Sequence, residues 1–267
     1  MVIEPFTKFR KKESTLSALV RLIVKQFRFL QILGTFGYLK WLLANTNSVF
    51  SVRINSQEVF VRKGTPDLSV AISCLHGEFD ILRHAFPRDY QGVIVDAGGY
   101  IGTAAIAFSL MYPNSRIFSI EPSDANFLLL KKNIDAFTNI QPIHAALVAD
   151  VREKVFLKNR GTGHWGYSTV DQPKDCPEAE VVNPVQSITL SNLDCSLSEI
   201  GILKLDIEGG EYKLLKDDAD SMKKLPVIIA ELHDRIVDNC TEMFFEFSRN
   251  RLILKDRGEK YLSISKL

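Results

Sequence analysis

Val93-Ile94-Val95-Asp96-Ala97-Gly98-Gly99-Tyr100-Ile101-Gly102 is the stretch that decides the fold. Three branched apolar residues make a buried strand, and Asp96 ends it. The glycines then let the backbone turn sharply and leave room for a ligand against the main chain. Gly102 opens a helix whose unpaired N–H groups face the same crevice. A strand that turns this way into a helix belongs in an open parallel sheet, where ligands bind at the carboxyl edge.

Outward from this segment, apolar strands alternate with helical segments, the mark of a parallel α/β sheet. The pattern predicts strands at Gly92–Asp96, Arg116–Glu121, Gln141–Ala146, Ile202–Asp206 and Val227–Glu231. Helices are expected at Gly102–Met111, Ser123–Ala136, Gly209–Lys216 and Asn239–Asn250, and a final hairpin pairs Arg251–Lys255 with Lys260–Ser265. Upstream, Val49 to Arg62 alternates around Asn55-Ser56-Gln57 as a hairpin does, and Thr65-Pro66-Asp67 opens a helix towards Leu75. The fold class is therefore Rossmann-like α/β, mostly parallel, with an antiparallel C-terminal hairpin and an N-terminal helical extension. A long polar insertion, Asn159–Glu180, separates the third and fourth main strands. Long insertions in compact domains are often functional.

Residues 1–48 form the extension and 49–267 the main domain. Leu16, Leu19, Val20, Ile23, Val24, Phe27, Leu30 and Leu33 recur at helical spacing, with Arg21, Lys25 and Arg28 on another face. Such a face usually docks on the core. Its basic flank also suits peripheral contact with an anionic membrane. Charged residues interrupt the apolar run, which argues against a spanning helix. The 267-residue chain carries a net charge of +1, although residues 1–50 hold eight basic side chains against two acidic ones. Bulk charge gives no reason to expect nucleic acid as partner. Cys74, Cys176, Cys195 and Cys240 show no metal-ligand spacing, which fits a reducing, cytoplasmic setting.

Asp96 and Glu121 narrow the ligand. Ala97-x-Gly99-x-x-Gly102 imitates a dinucleotide fingerprint without its first glycine, which is a weak signal. A carboxylate at Asp96 would repel an anionic diphosphate, but it could hold the amino group of S-adenosylmethionine directly or through water. Glu121, ending the next strand, is placed to accept hydrogen bonds from both ribose hydroxyls. The candidate cofactor-binding residues are Asp96, Ala97, Gly98, Gly99, Tyr100, Gly102, Glu121, Pro122 and Asp206.

Four ordered segments resemble the FkbM-type methyltransferases of the class I S-adenosylmethionine-dependent superfamily. They are Val95 to Gly102; Ile120-Glu121-Pro122; Leu203-Lys204-Leu205-Asp206-Ile207-Glu208-Gly209-Gly210-Glu211; and Ile229-Ala230-Glu231-Leu232-His233. Gly64-Thr65-Pro66-Asp67 also looks like the family's "GTSD" segment, with Pro66 in place of serine, and Gly99-Tyr100 departs from the common "GANIG" form. The resemblance runs from about Val49 to the C-terminus and leaves the extension outside. It implies methylation of hydroxyl groups on glycans or secondary metabolites, with no particular acceptor.

On the acceptor side, two adjacent strand ends deliver Asp206, Glu208, Glu231 and His233 to one region. Methyl transfer to an alcohol requires alignment with the donor and loss of a proton. His233 is the candidate base, and Asp206 would orient the acceptor or the methionyl amine. Glu208 and Glu231 read as supporting groups, Glu208 most simply as a helix-start acid. A divalent cation such as Mg²⁺ suits carboxylates with histidine, but the spacing does not require one and no metal ligands are assigned. In the insertion, His164, Trp165 and Tyr167 are flanked by glycines, as in a mobile lid with aromatic faces for a small-molecule or glycan acceptor. The competing readings are a nicotinamide-dependent oxidoreductase and a catalytically silent cofactor-binding scaffold.

Overall fold

The structure is a computed structural model that describes residues 15–151, 155–164, 166–256 and 258–266. The described residues open with α1 (Thr15–Leu43), the hairpin β1 (Val49–Ile54) and β2 (Gln57–Arg62), and α2 (Asp67–Leu75). The main domain continues with β3 (Val93–Ala97), α3 (Thr103–Met111), β4 (Arg116–Ile120), α4 (Asp124–Ile134), β5 (Ile140–Ile143) and β6 (Ala146–Leu147). The insertion is flanked by β7 (Val155–Asn159) and β9 (Glu180–Val185) and contains β8 (Tyr167–Ser168). After it come β10 (Ser187–Ile188), β11 (Ile200–Leu205), α5 (Glu211–Asp217), α6 (Ala219–Met222), β12 (Val227–Glu231), α7 (Cys240–Phe247), β13 (Leu252–Lys255) and β14 (Lys260–Ile264).

Seven strands make the main sheet in the order β13-β14-β12-β11-β3-β4-β5. The five strands from β12 to β5 run parallel, while β14 enters antiparallel between β12 and β13. The sheet is Rossmann-like, as read from the sequence. Val93, Val95 and Ala97 of β3 face one apolar cluster with Leu203, Leu205, Leu214 and Phe244. Ile94 faces the other, with Ile106, Phe108, Leu130 and the buried side of α2. Both faces of the sheet are thus covered, which is why its central strands read as continuous apolar runs. From β3 the chain winds outward through β4 and β5, then returns to the other side of β3 as β11. The reversal leaves a crevice between the ends of β3 and β11, where such sheets take ligands.

Three expectations need correction. The third strand stops at Ile143, and Ala146–Leu147 pairs instead with Ser187–Ile188. Pro142 lies on this edge strand, where its missing N–H costs no ladder bond. The polar insertion is not a free loop, because its two borders pair through β7 in the small antiparallel sheet β8-β7-β9. The extension also departs from simple docking. Gly34 (φ 67°) breaks α1 into two helical segments. Phe29 is buried, with Leu33, Tyr38 and Trp41 packed about it, whereas Ile23, Val24 and Phe27 remain 58–60% exposed. The apolar face predicted to dock is therefore mostly uncovered. Among the described residues no helix is long and apolar enough to cross a membrane.

Candidate active site

Strand register assembles the first part of the site. Ser119, Asp96 and Lys204 are direct partners on β4, β3 and β11, so their side chains leave the sheet on one face. Asp96 is completely buried. Its Oδ1 lies 3.0 Å from Lys204 Nζ, and its Oδ2 accepts a hydrogen bond of 2.9 Å from Ser119 Oγ. Lys204 Nζ also donates to the carbonyl of Gly98 at 3.0 Å and stands 3.7 Å from Asp206 Oδ2. Burial works against the ammonium charge, but Asp96 and then Asp206 hold Lys204 above its usual pKa. Asp96 does not line the adjoining cavity. Its carboxylate is occupied by Lys204, so it braces the glycine turn and is not free to grip a ligand amine directly.

The turn itself is tightly determined. Gly98 and Gly99 both donate their N–H to Ile120 O, at 3.0 and 2.8 Å. Gly98 sits at φ 81°, and a Cβ there would stand 1.8 Å from Asp206 O. Only glycine allows β3 and β11 to approach so closely at their tips.

A cavity of about 330 Å³ opens at these strand ends. One end is lined by Glu121, Pro122, Asn126, Ala146 and Leu147, the other by Asp206, Glu208 and Glu231. Gly98, Gly99, Tyr100 and Thr103 form the floor between them. Glu121 accepts hydrogen bonds from the N–H groups of Tyr100 and Ser123, each 2.9 Å, and from Asn126 Nδ2 at 3.2 Å. Burial pushes its carboxyl up to about 7 against those donors.

The other end concentrates charge. Asp206, Glu208 and Glu231 meet around His233, which is wholly buried and does not line the cavity. His233 Nδ1 lies 3.1 Å from Glu211 Oε1. Burial would lower the imidazole pKa, but Glu211, then Glu208 and Asp206, raise it to about 10. His233 lies behind the cavity lining, so its ring does not border the acceptor space as the sequence reading expected of the base. Burial, reinforced by Asp206, lifts Glu231 to about 7. Glu208 is more than a helix-start acid: Arg160 Nη1 binds its Oε2 at 2.6 Å and Arg235 Nη2 at 3.1 Å.

Arg160 ties the insertion to this cluster. Its guanidinium also holds Asp175 and the carbonyl of Gly166. His164 and Tyr167 both line the cavity, with ring centres 6.2 Å apart, and His164 O accepts from Asn126 Nδ2 at 2.7 Å. The insertion is thus a braced wall of the cavity. Trp165 lies outside the described residues.

Comparison with known proteins settles what this architecture belongs to. Residues 96–261 match the model of the methyltransferase FkbM domain. The chain belongs to the FkbM methyltransferase family. A "Methyltransferase 1" of Beauveria bassiana (strain ARSEF 2860) is 24% identical over 213 residues, covering 71% of this chain and 84% of that protein. Among solved structures, M. jannaschii TYW2 in complex with AdoMet has a TM-score of 0.41 at 12% identity, covering 83% of this chain and 86% of that one. Aeropyrum pernix fibrillarin with natively bound S-adenosyl-L-methionine has a TM-score of 0.39 at 13% identity, covering 83% and 85%.

In this methyltransferase the cavity brings together Gly98, Gly99, Tyr100, Glu121, Pro122, His164, Tyr167 and Asp206 from the sequence-predicted set. Asp96, Ala97, Gly102 and His233 stand behind its lining. Sequence reasoning missed Lys204, Arg160, Glu211 and Asp67. Buried Asp67 accepts from Arg62 Nε and Nη2 at 2.8 and 3.1 Å, and also from the hydroxyl of Tyr100. It thereby fastens the N-terminal hairpin to the glycine turn. A signal existed for three of them, since Asp67 ends the family-like Gly64–Asp67 segment while Lys204 and Glu211 bracket Asp206–Gly210; Arg160 lies in no such segment.

Proposed function

We propose that this enzyme transfers a methyl group from S-adenosylmethionine to a hydroxyl oxygen of a glycan or secondary metabolite. The observation that carries the reading is the polarity of the cavity: a carboxylate at the tip of β4 and three more at the tips of β11 and β12, joined by a glycine floor. A ligand with a ribose diol at one end and an amine at the other complements that distribution. An anionic dinucleotide does not.

The residues present fit the donor on structural grounds. Gly98 and Gly99 leave bare backbone between the two acidic ends, and three of Glu121's donors come from its own surroundings, which fix the carboxylate in place. Ala146, Leu147 and Pro122 give the Glu121 end apolar walls suited to a flat base. When bound, the donor supplies an electrophilic methyl on a sulfonium. Glu121 and Asp206 would hold the donor at its two ends; the acceptor oxygen would take the methyl as the C–S electron pair stays on sulfur, and the hydroxyl proton would pass to the Asp206 carboxylate or to solvent.

The chain's own contribution is alignment and exclusion of water. Asp206, partly exposed in the cavity, orients the methionyl amine or the acceptor. Lys204, which also lines the cavity, stands beside Asp206, and the braced insertion closes the side of the cavity. His164 and Tyr167 offer ring faces and edges against which a sugar can lie. Incubation with methyl-labelled S-adenosylmethionine and a panel of glycans and polyhydroxylated metabolites tests the reading. A labelled methyl ether supports it. Transfer to nitrogen, or reduction of a nicotinamide with no transfer at all, overturns it.

A further inference from the structure

His233 Nε2 is completely buried and has no hydrogen-bond partner. Three carboxylate oxygens surround it: Asp206 Oδ1 at 3.8 Å, Glu208 Oε1 at 3.9 Å and Glu231 Oε1 at 4.0 Å. These separations are too long for hydrogen bonds, which run to about 3.2 Å. Neighbouring ligands of a divalent cation bound at about 2.1 Å stand about 3 Å apart, so this open group would close around an ion by side-chain shifts of about 1 Å.

The other oxygen of each acid is already committed. Asp206 Oδ2 faces Lys204, Glu208 Oε2 is held by Arg160 and Arg235, and Glu231 Oε2 lies 3.4 Å from Lys260. Strand register sets the last pair, because Glu231 and Lys260 are direct partners on β12 and β14. Each acid therefore gives one oxygen to a fixed cationic side chain and turns the other towards the bare imidazole nitrogen. One ligand atom each from Asp206, Glu208 and His233 lie within 4.8 Å of one another.

The support behind His233 has the form that metal-binding histidines require. Glu211 is fully buried, and its Oε1 meets His233 Nδ1 while also accepting the N–H of Ile207 at 2.7 Å. Its Oε2 accepts the N–H of Gly209 at 2.9 Å. A carboxylate fixed in this way keeps a proton on Nδ1, so a cation that displaces the proton of Nε2 meets that nitrogen's lone pair.

We infer that Asp206, Glu208 and His233, with Glu231 beside them, form a binding site for a divalent cation at the acceptor end of the cavity. A set of hard oxygens with one imidazole suits Mn²⁺ in particular. Asp206, Glu208 and Glu231 border the cavity while His233 lies behind them, so the remaining coordination positions face the acceptor. Resting here on the hydroxyl-methylation reading, the cation coordinates the acceptor hydroxyl and favours departure of its proton. Binding of the ion itself does not depend on that reading.

The test uses the full chain after chelation, with Mn²⁺ alone added in the absence of donor and acceptor. Calorimetry should show one site per chain. Electron spin echo spectroscopy of the bound Mn²⁺ should show coupling to an imidazole nitrogen. Glu211→Gln should weaken affinity by about 10- to 100-fold, and Asp206→Asn should weaken it further, with thermal unfolding confirming that each variant is folded. The wild-type spectrum needs no variant. Mn²⁺ bound without nitrogen coupling, or no saturable Mn²⁺ binding, overturns the inference. Methyl transfer with no metal bound would separately defeat the hydroxyl-coordination role while leaving the methyltransferase reading intact.

Discussion

Lys204 and Asp96 are register partners on adjacent parallel strands, and their charges meet 3.0 Å apart beneath the glycine turn. Lys204 also holds Gly98 O. One buried ammonium thus joins the two strand tips that frame the cavity. The family-like segments Val95–Gly102 and Leu203–Glu211 are far apart in sequence but share this contact.

Removing one partner of that pair leaves an uncompensated charge in the interior. Lys204→Met should cost about 3–5 kcal/mol, and replacing both residues with apolar ones of similar size should recover most of the loss. Urea denaturation of the single variant and of Asp96→Leu/Lys204→Met reads both outcomes. A cost below about 1 kcal/mol for the single change would show the pair to be solvated.

Gly98→Ala meets a backbone atom, Asp206 O, and requires an L-residue at φ 81°. The left-handed conformation alone costs about 1–2 kcal/mol, and the strand tips must also separate. The variant should therefore lose at least that much stability, together with ligand affinity. A wild-type unfolding midpoint with normal binding would contradict the close approach.

Asp67 links the hairpin to the glycine turn through Arg62 and Tyr100. Asp67→Ala strands a buried guanidinium and should cost about 3–5 kcal/mol. Tyr100→Phe leaves the Arg62 pair intact and should cost about 1.5 kcal/mol. Denaturation midpoints in the reverse order would refute this division of labour.

Glu121 gives a pH dependence. Its carboxyl is raised to about 7 by burial, so the folded protein retains this proton in the window between about 4.5 and 7, where the unfolded chain has released it. The stability it contributes is full below the unfolded value and declines as pH rises through about 7. Ligand binding runs the other way, because ribose hydroxyls need the ionised acceptor. Affinity for S-adenosylhomocysteine should weaken as pH falls below about 7, with proton release on binding detectable calorimetrically in buffers of different ionisation enthalpy. Equal affinity at pH 6 and pH 8 would remove Glu121 from the ribose site.

The glycine turn and the strands were legible because their signals are local: a continuous apolar run, a break and a helix start. The partner of Asp96 was not, because it depends on which residue of β11 lies opposite β3, a register that periodicity does not give. The place of His233 just after β12 was clear, but its burial behind the cavity lining and its contact with Glu211 depend on how α5 packs, which spacing does not give. At the borders of the insertion, Val155-Phe156-Leu157 and Val181-Val182 carried a weak strand signal that polar neighbours masked. The apolar face of α1 was evident from spacing, but spacing cannot say what covers it, and Ile23, Val24 and Phe27 stayed exposed.

Calorimetric titration of S-adenosylhomocysteine into wild-type enzyme and Glu121→Ala, with NAD as the comparison ligand, tests the donor site most directly. The account predicts saturable wild-type binding, a loss of about 1.5–3 kcal/mol in the variant from broken charged hydrogen bonds, and no binding of NAD. Undiminished affinity in the variant, or preference for NAD, would contradict it.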